Sequence, residues 1–341
     1  MKILIVGPSW VGDMVMSQAL FKVLKDQDSA TRLHVLAPGW SRPLLDRMPE
    51  VESSIDLPFG HGVIDLKARR EFALSLRAAA FDQAIVLPNS MKSALIPFWA
   101  GIPRRTGWRG EMRYGLLNDL RVLDESLYPL MVERFVALAH RKGALLPHPL
   151  PRPRLVIDTQ ARDAAMAKFS LRLEGRPVVA LCPGAEFGSS KRWPEAHYAE
   201  LAEARIAAGH QVWLFGSQKD RTVTQAITSA LSDTAKAHCV DLAGQTSLAE
   251  AIDLLSCAAV VVSNDSGLMH VAAALDRPLV AVYGSTSPGF TPPLASRVRI
   301  EQAALDCSPC FQRECPLGHG NCMKQLSPAR VTDAVTAVLE G

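Results

Sequence analysis

The chain has 341 residues, 48% of them apolar and 21% charged, enough for two domains with substantial cores. Basic residues number 37 against 34 acidic, a net charge of +3 that argues against a dedicated nucleic-acid binder. No apolar run approaches the roughly 20 residues of a membrane span, and the stretch before Gly7-Pro8 is too short for a secretory signal. A cytoplasmic chain whose seven cysteines are reduced or metal-bound is therefore expected.

In chain order, "KILIVG" is a short apolar run closed by Gly-Pro, which predicts a buried parallel strand. Residues 14–26 follow at helical spacing, with Val15, Ala19, Leu20, Val23 and Leu24 on one face. "LHVLAP" and "QAIVLPN" predict further strands, and helices are expected over Ser90–Ala100 and Pro129–Lys142. The Pro-rich stretch at 147–155 reads as a linker. The pattern then restarts. "RPVVALCPG" is a strand into a turn, "WPEAHYAELAEARIAAG" a helix with Pro194 in its first turn, and "QVWLFG" a strand. "AAVVVSNDSGLMHVAAAL" reads as strand, loop and helix, and "PLVAVYG" as one more strand. This alternation predicts an α/β chain with two doubly wound parallel sheets facing a central cleft. The first domain is expected over residues 1–155 and the second over 156–327.

Three loops at strand ends could carry chemistry. "GPSWVGDM" has Trp10 and Asp13 where a phosphate cradle would place glycines, so it is either a plain turn with Asp13 as a helix cap or the seat of a general base. "GAEFGSSKRWPE" combines backbone freedom, the hydroxyls of Ser189 and Ser190, the cations Lys191 and Arg192, and a following helix. That set suits a diphosphate, or equally a basic surface turn. "SNDSGLMH" supplies Asp265, Ser266 and Gly267 at a helix start, with His270 one turn in. Alone it reads as an N-cap and a core histidine; beside the Lys191 loop it gains a ligand reading.

Two basic stretches precede these loops' second-domain partners. One carries Lys67, Arg69 and Arg70; the other carries Arg104, Arg105, Arg109 and Arg113, interleaved with Trp108 and Tyr114. Either is a solvated face or a patch for a strongly anionic acceptor. Finally, Cys307, Cys310, Cys315 and Cys322 fall within 16 residues, with His319 among them. Four thiolates suit tetrahedral zinc, yet the close second pair of a zinc ribbon is missing. A structural metal site and reduced or redox-active loop thiols both stay open. Cys182, Cys239 and Cys257 sit in or near apolar runs and read as small core residues.

Taken together, "MKILIVGPSWVGDMVMSQAL", "RRTGWRGEMRYGLLND", "CPGAEFGSSKRWPEAHYAELA" and "SNDSGLMHVAAAL" with the following "RPLVAVYGSTSP" resemble glycosyltransferase family nine, over almost the whole chain. The resemblance implies a GT-B fold of two Rossmann-like domains, with the acceptor bound by the first and the nucleotide sugar by the second. A C-terminal helix over 328–341 is expected to pack back onto the first domain. The implied reaction moves L-glycero-D-manno-heptose from ADP-heptose, with inversion, to O3 of the first heptose of Hep-Kdo2-lipid A, building the lipopolysaccharide inner core. No metal and no cofactor are required, and the enzyme would work as a peripheral protein at the cytoplasmic face of the inner membrane. By the same resemblance Asp13 is the catalytic carboxylate and Lys191 the phosphate-binding lysine. Ser189, Ser190, Arg192, Gly216, Thr246, Asp265, Ser266, Gly267, Leu268, Met269 and His270 would contact the donor. Trp10 and the seven basic residues named above would contact the acceptor. Transfer of the first heptose, another family-nine transfer or a nucleotide-sugar epimerisation are same-fold alternatives. A non-catalytic, metal-dependent interaction protein built on the cysteine cluster is an alternative of another class.

Overall fold

The computed structural model describes residues 1–60, 64–173 and 175–340. The chain divides into two compact units, Met1–Pro153 and Arg154–Gly341, within two residues of the boundary expected from the Pro-rich linker.

The first unit holds six parallel strands: β1 (Lys2–Val6), β2 (Arg32–Ala37), β3 (Val51–Asp56), β4 (Gln83–Val86), β5 (Arg104–Trp108) and β6 (Asp119–Arg121). They lie in the order β3-β2-β1-β4-β5-β6. Ile3, Leu4 and Ile5 are fully buried, which is why this strand reads as a continuous apolar run instead of alternating. The helix Val11–Gln27 starts three residues earlier than its apolar face suggests, and Val15, Ala19, Leu20, Val23 and Leu24 are all buried as spaced. The helix expected over 129–142 is shorter. It runs Met131–Val136 and closes in a 3-10 turn at Ala139. The Arg121 guanidinium takes the Ala137 and His140 carbonyls at 2.8 and 2.9 Å, and His140 is already extended.

The second unit repeats the plan with β7 (Val178–Cys182), β8 (Gln211–Leu214), β9 (Cys239–Asp241), β10 (Val260–Asn264), β11 (Leu279–Tyr283) and β12 (Val298–Gln302), in the order β12-β11-β10-β7-β8-β9. Both sheets are therefore doubly wound in the same sense. Winding reverses between β1 and β4 in the first sheet and between β7 and β10 in the second. Ligands of open α/β sheets bind outside the carboxyl ends of the strands flanking such a reversal.

One expectation is corrected. The terminal helix Pro328–Glu340 does not leave the second unit. Val331, Ala334, Val335 and Val338 join Val179, Leu181, Trp193, Val260 and Val280 in one core cluster. An amphipathic pattern states that a helix needs an apolar partner and not which one; here the partners are β10, β11, β12 and the helix Glu195–Ala207.

Candidate active site

The second unit's two promising loops leave the strands that flank its reversal point. The Lys191 loop follows β7, and the Asp265 loop follows β10. Lys191 sits in a short 3-10 turn, Ser189–Lys191, and its Nζ lies 2.6 Å from Asp265 Oδ2. The pair is largely buried, with side chains 14% and 5% exposed, so each charge depends on the other for its tolerance of that place. Thr286 Oγ1 donates to the same carboxylate oxygen at 2.6 Å. Lys191 Nζ also stands 4.9 Å from the centroid of the Phe187 ring. Asp265 is thus not the cap of the following helix; that position is taken by Ser266, and the carboxylate faces Lys191 and Thr286 instead.

Asn264, the last residue of β10, fastens this arrangement. Its Oδ1 accepts the Trp193 backbone N–H at 3.2 Å and the Tyr198 hydroxyl at 3.0 Å, and its Nδ2 donates to the Pro183 carbonyl at 2.7 Å. Burial holds the Tyr198 phenol well above its ordinary range, so it stays a donor. One fully buried amide therefore joins the end of β7, the Lys191 turn and the helix Glu195–Ala207 to the Asp265 loop. Sequence reading passed over Asn264 because its position in "SNDSG" looks like loop composition.

His270 is buried in the helix Gly267–Ala274, and its pKa falls to about 4. Burial is the main cause; the Lys191 charge pushes the same way and the Asp265 charge opposes. Ser266, Gly267 and Leu268 are partly exposed, whereas the Met269 side chain is fully buried in the core. Gly216 and Thr246 lie beyond the ends of β8 and β9, farther along the same edge. Ser189 is exposed, but Ser190 is buried, its hydroxyl 2.9 Å from Ser285 Oγ and donating to the Gln312 carbonyl at 2.5 Å. Ser190 thus ties the Lys191 turn to the segments of Ser285 and Gln312.

In the first unit, Asp13 stands in the first turn of the helix that follows β1, half-buried, with Trp10 at the N-cap and 41% exposed. A carboxylate there is favoured by the helix dipole. The basic stretch splits by burial. Lys67, Arg70, Arg104 and Arg109 are exposed. Arg69 is 2% exposed, donating to the Ile64 carbonyl at 2.7 Å with its guanidinium 4.3 Å from the Phe59 ring centroid. Arg105 donates to the Leu116 and Ile102 carbonyls. Arg113 is 1% exposed and donates to the carbonyls of Pro88 and Trp108 and to Asn89 Oδ1; burial pushes it down to about 10. Arg69, Arg105 and Arg113 thus each direct the guanidinium onto backbone carbonyls of their own unit. Arg113 clamps the loop after β4, where Gly110 is also obligatory: a Cβ there would come within 2.3 Å of the Asn89 carbonyl oxygen.

The four clustered cysteines line one pocket with Ser190, Ser285 and His319. Among the described residues no three His, Cys, Asp or Glu side chains are arranged to hold a metal ion. Cys315 Sγ accepts the Gly320 N–H at 3.4 Å, and backbone N–H groups there hold its thiol below the usual range, while burial and the three neighbouring thiols push Cys322 up. All seven cysteines are free. Burial raises Cys182, Cys239 and Cys257, in keeping with unreactive packed thiols.

Three outcomes are expected. Asn264→Ala strands the Trp193 N–H and the Pro183 carbonyl, and denaturant unfolding should show a loss of about 3 kcal/mol; a loss below about 1 kcal/mol would contradict the fastening role. Arg113→Ala should destabilise by about 2 kcal/mol, whereas Arg109→Ala should leave the unfolding midpoint unchanged. For His270 the folded pKa is depressed, so the unfolded chain takes up the proton first. Its contribution is complete above about pH 6.5 and is lost as pH falls toward 4, on the order of 3 kcal/mol in all. Thermal unfolding from pH 7 to 4.5 should therefore fall less steeply for His270→Gln than for the parent chain; parallel slopes would contradict it.

The sequence pattern of glycosyltransferase family 9 (heptosyltransferase) matches residues 69–320. Among curated proteins, the chain is 50% identical over 344 residues to lipopolysaccharide heptosyltransferase 2 of Escherichia coli K12, covering 99% of each. It is 50% identical over 306 residues to lipooligosaccharide heptosyltransferase 2 of Haemophilus influenzae, covering 88% of each. Among solved structures, that of E. coli ADP-heptose lps heptosyltransferase II superposes with a TM-score of 0.90 at 48% identity, covering 100% of this chain and 99% of the other. The fold of six parallel strands per unit is thus the GT-B fold of that structure, and the chain belongs to glycosyltransferase family 9, the heptosyltransferases.

Proposed function

We propose that the chain transfers L-glycero-D-manno-heptose from ADP-heptose to O3 of the first heptose on Hep-Kdo2-lipid A, with inversion at the anomeric carbon. The observation that carries this reading is the buried Lys191–Asp265–Thr286 cluster at the winding reversal of the second sheet, in a chain half-identical to heptosyltransferases over nearly its full length. Asp13 takes the proton from the acceptor hydroxyl. The oxygen's electron pair forms the new bond to the anomeric carbon as the bond to the diphosphate oxygen breaks. ADP departs with that bond's electrons, and Lys191 meets the charge that develops. One base and one displacement give inversion without a second nucleophile. Asp265 and Thr286 hold the lysine in place, and the partly exposed Ser266, Gly267 and Leu268 offer backbone to the donor.

The acceptor carries carboxylates and phosphates, which suits the exposed Lys67, Arg70, Arg104 and Arg109 of the first unit and the exposed indole of Trp10. Among the described residues no helix is long and apolar enough to cross a membrane, so the lipid-linked acceptor would be met at a membrane surface. The reading gives the cysteine cluster no part in the chemistry.

Purified protein with ADP-heptose should modify Kdo2-lipid A only when the first heptose is present; transfer to the heptose-free acceptor would replace this reading with that of the first transfer. Asp13→Ala should bind ADP as the parent does and lose about 100-fold or more in kcat, and Lys191→Ala should lose both ADP affinity and kcat. An Asp13→Ala enzyme within about threefold of the parent would remove the base from the mechanism.

A further inference from the structure

Most cations around the Lys191 turn are already neutralised. Lys191 is paired with Asp265 at 2.6 Å, Arg192 lies 3.8 Å from Asp220, and Lys219 lies 2.5 Å from Glu186. A diphosphate arriving there meets three cations and three carboxylates, with no net charge to balance its own. Arg313 is different. It comes from the cysteine-rich loop, more than a hundred residues away in sequence, and its exposed guanidinium has no carboxylate partner among the described residues. Its Cζ lies 5.5 Å from the centroid of the Phe187 ring, the same ring that stands beside Lys191 Nζ.

The placement of Arg313 is built into the backbone. Its carbonyl accepts the Ser190 N–H at 3.2 Å, and the neighbouring Gln312 carbonyl accepts the Ser190 hydroxyl. Phe311 N–H donates to the Ser285 carbonyl at 2.7 Å, one residue from Thr286, and Ser308 Oγ donates to the Gly284 carbonyl at 2.5 Å. At Gly188 a Cβ would lie 2.1 Å from the Arg313 carbonyl oxygen, so the two segments touch where only glycine fits. The cysteine-rich loop is thus laid along the Lys191 turn, and Phe187 holds two cations beside one ring.

We infer that Arg313 is a binding residue for the donor's diphosphate, supplying the uncompensated positive charge that the Lys191–Asp265 pair lacks. A planar guanidinium can pair two phosphate oxygens at once, and stacking on Phe187 limits the freedom it loses in doing so. The inference rests on the reading of this loop as the nucleotide-sugar site.

Calorimetric titration of the full chain with ADP and with AMP tests it, using the parent, Arg313→Ala and Arg313→Lys, with thermal unfolding recorded for each. Arg313→Ala should unfold at the parent's temperature, since the side chain is exposed, and should lose about tenfold in ADP affinity, the size of one charge-assisted hydrogen bond. The loss for AMP should be smaller, and Arg313→Lys should recover part of the ADP affinity. If the parent binds ADP and Arg313→Ala matches it within about twofold, the inference fails and the donor site stands. Equal losses for ADP and AMP would also overturn it. A parent chain that binds neither nucleotide would overturn the donor site itself.

Discussion

The carboxamide of Asn264 is the constraint on which the strand-end architecture of the second unit turns. A fully buried primary amide must place both its donor and its acceptor, and here it does so on three separate segments. Because Asn264 ends β10 and Pro183 follows β7, the amide closes the gap at the point where the sheet's winding reverses. The strand ends on either side can then diverge into loops without drifting apart. Lys191 and Asp265, 74 residues apart in sequence, meet at 2.6 Å because the residues beside them are already tied. Around that tie lie Trp193 and Tyr198, both fully buried and packed edge to face with ring centroids 4.9 Å apart.

The two units share a topology and use it differently. In the second, the reversal point collects a lysine, an aspartate, a threonine and a neutral histidine. In the first, it collects a carboxylate in a helix's opening turn and a loop locked from beneath by the Arg113 guanidinium. Arg113 shows how an arginine in a basic stretch can serve the backbone. Three acceptors and near-complete burial make it a cross-strut, while its neighbour Arg109 remains in solvent.

The central strands β1, β2, β4, β7, β8, β10 and β11 were legible because all-parallel sheets bury both faces, so that they read as continuous apolar runs such as "KILIVG" or "AAVVVSN"; the outer β3, β5, β6, β9 and β12 are short or polar and carry no such run. The loops were legible as chemistry because lysine, paired serines and glycines gather directly after such runs. Which side chains point outward was not legible. Arg109 and Arg113 are alike in sequence, and only the acceptors waiting beneath Arg113, the carbonyls of Pro88 and Trp108 and Asn89 Oδ1, tell them apart. Ser190 looked like a ligand hydroxyl, but its partner is the carbonyl of Gln312, 122 residues on. Long-range pairings of that kind leave no local periodicity, which is also why the partner of the terminal helix could not be read from its own pattern.

The bond between Lys191 and Asp265 has a kinetic side. An anion entering the site meets a lysine that already holds a carboxylate at fixed, high local concentration, so every anionic occupant competes with a tethered rival. On the proposed function the rival would weaken substrate and departing nucleotide alike, because both would present a diphosphate to the same ammonium. In that reaction the carboxylate would reclaim the lysine once the sugar had gone, and the nucleotide diphosphate would leave more readily than a bare lysine would allow. A permanent internal competitor thus trades tightness for turnover, and it does so with two side chains that the fold had to pair in any case to keep either charge in so buried a place.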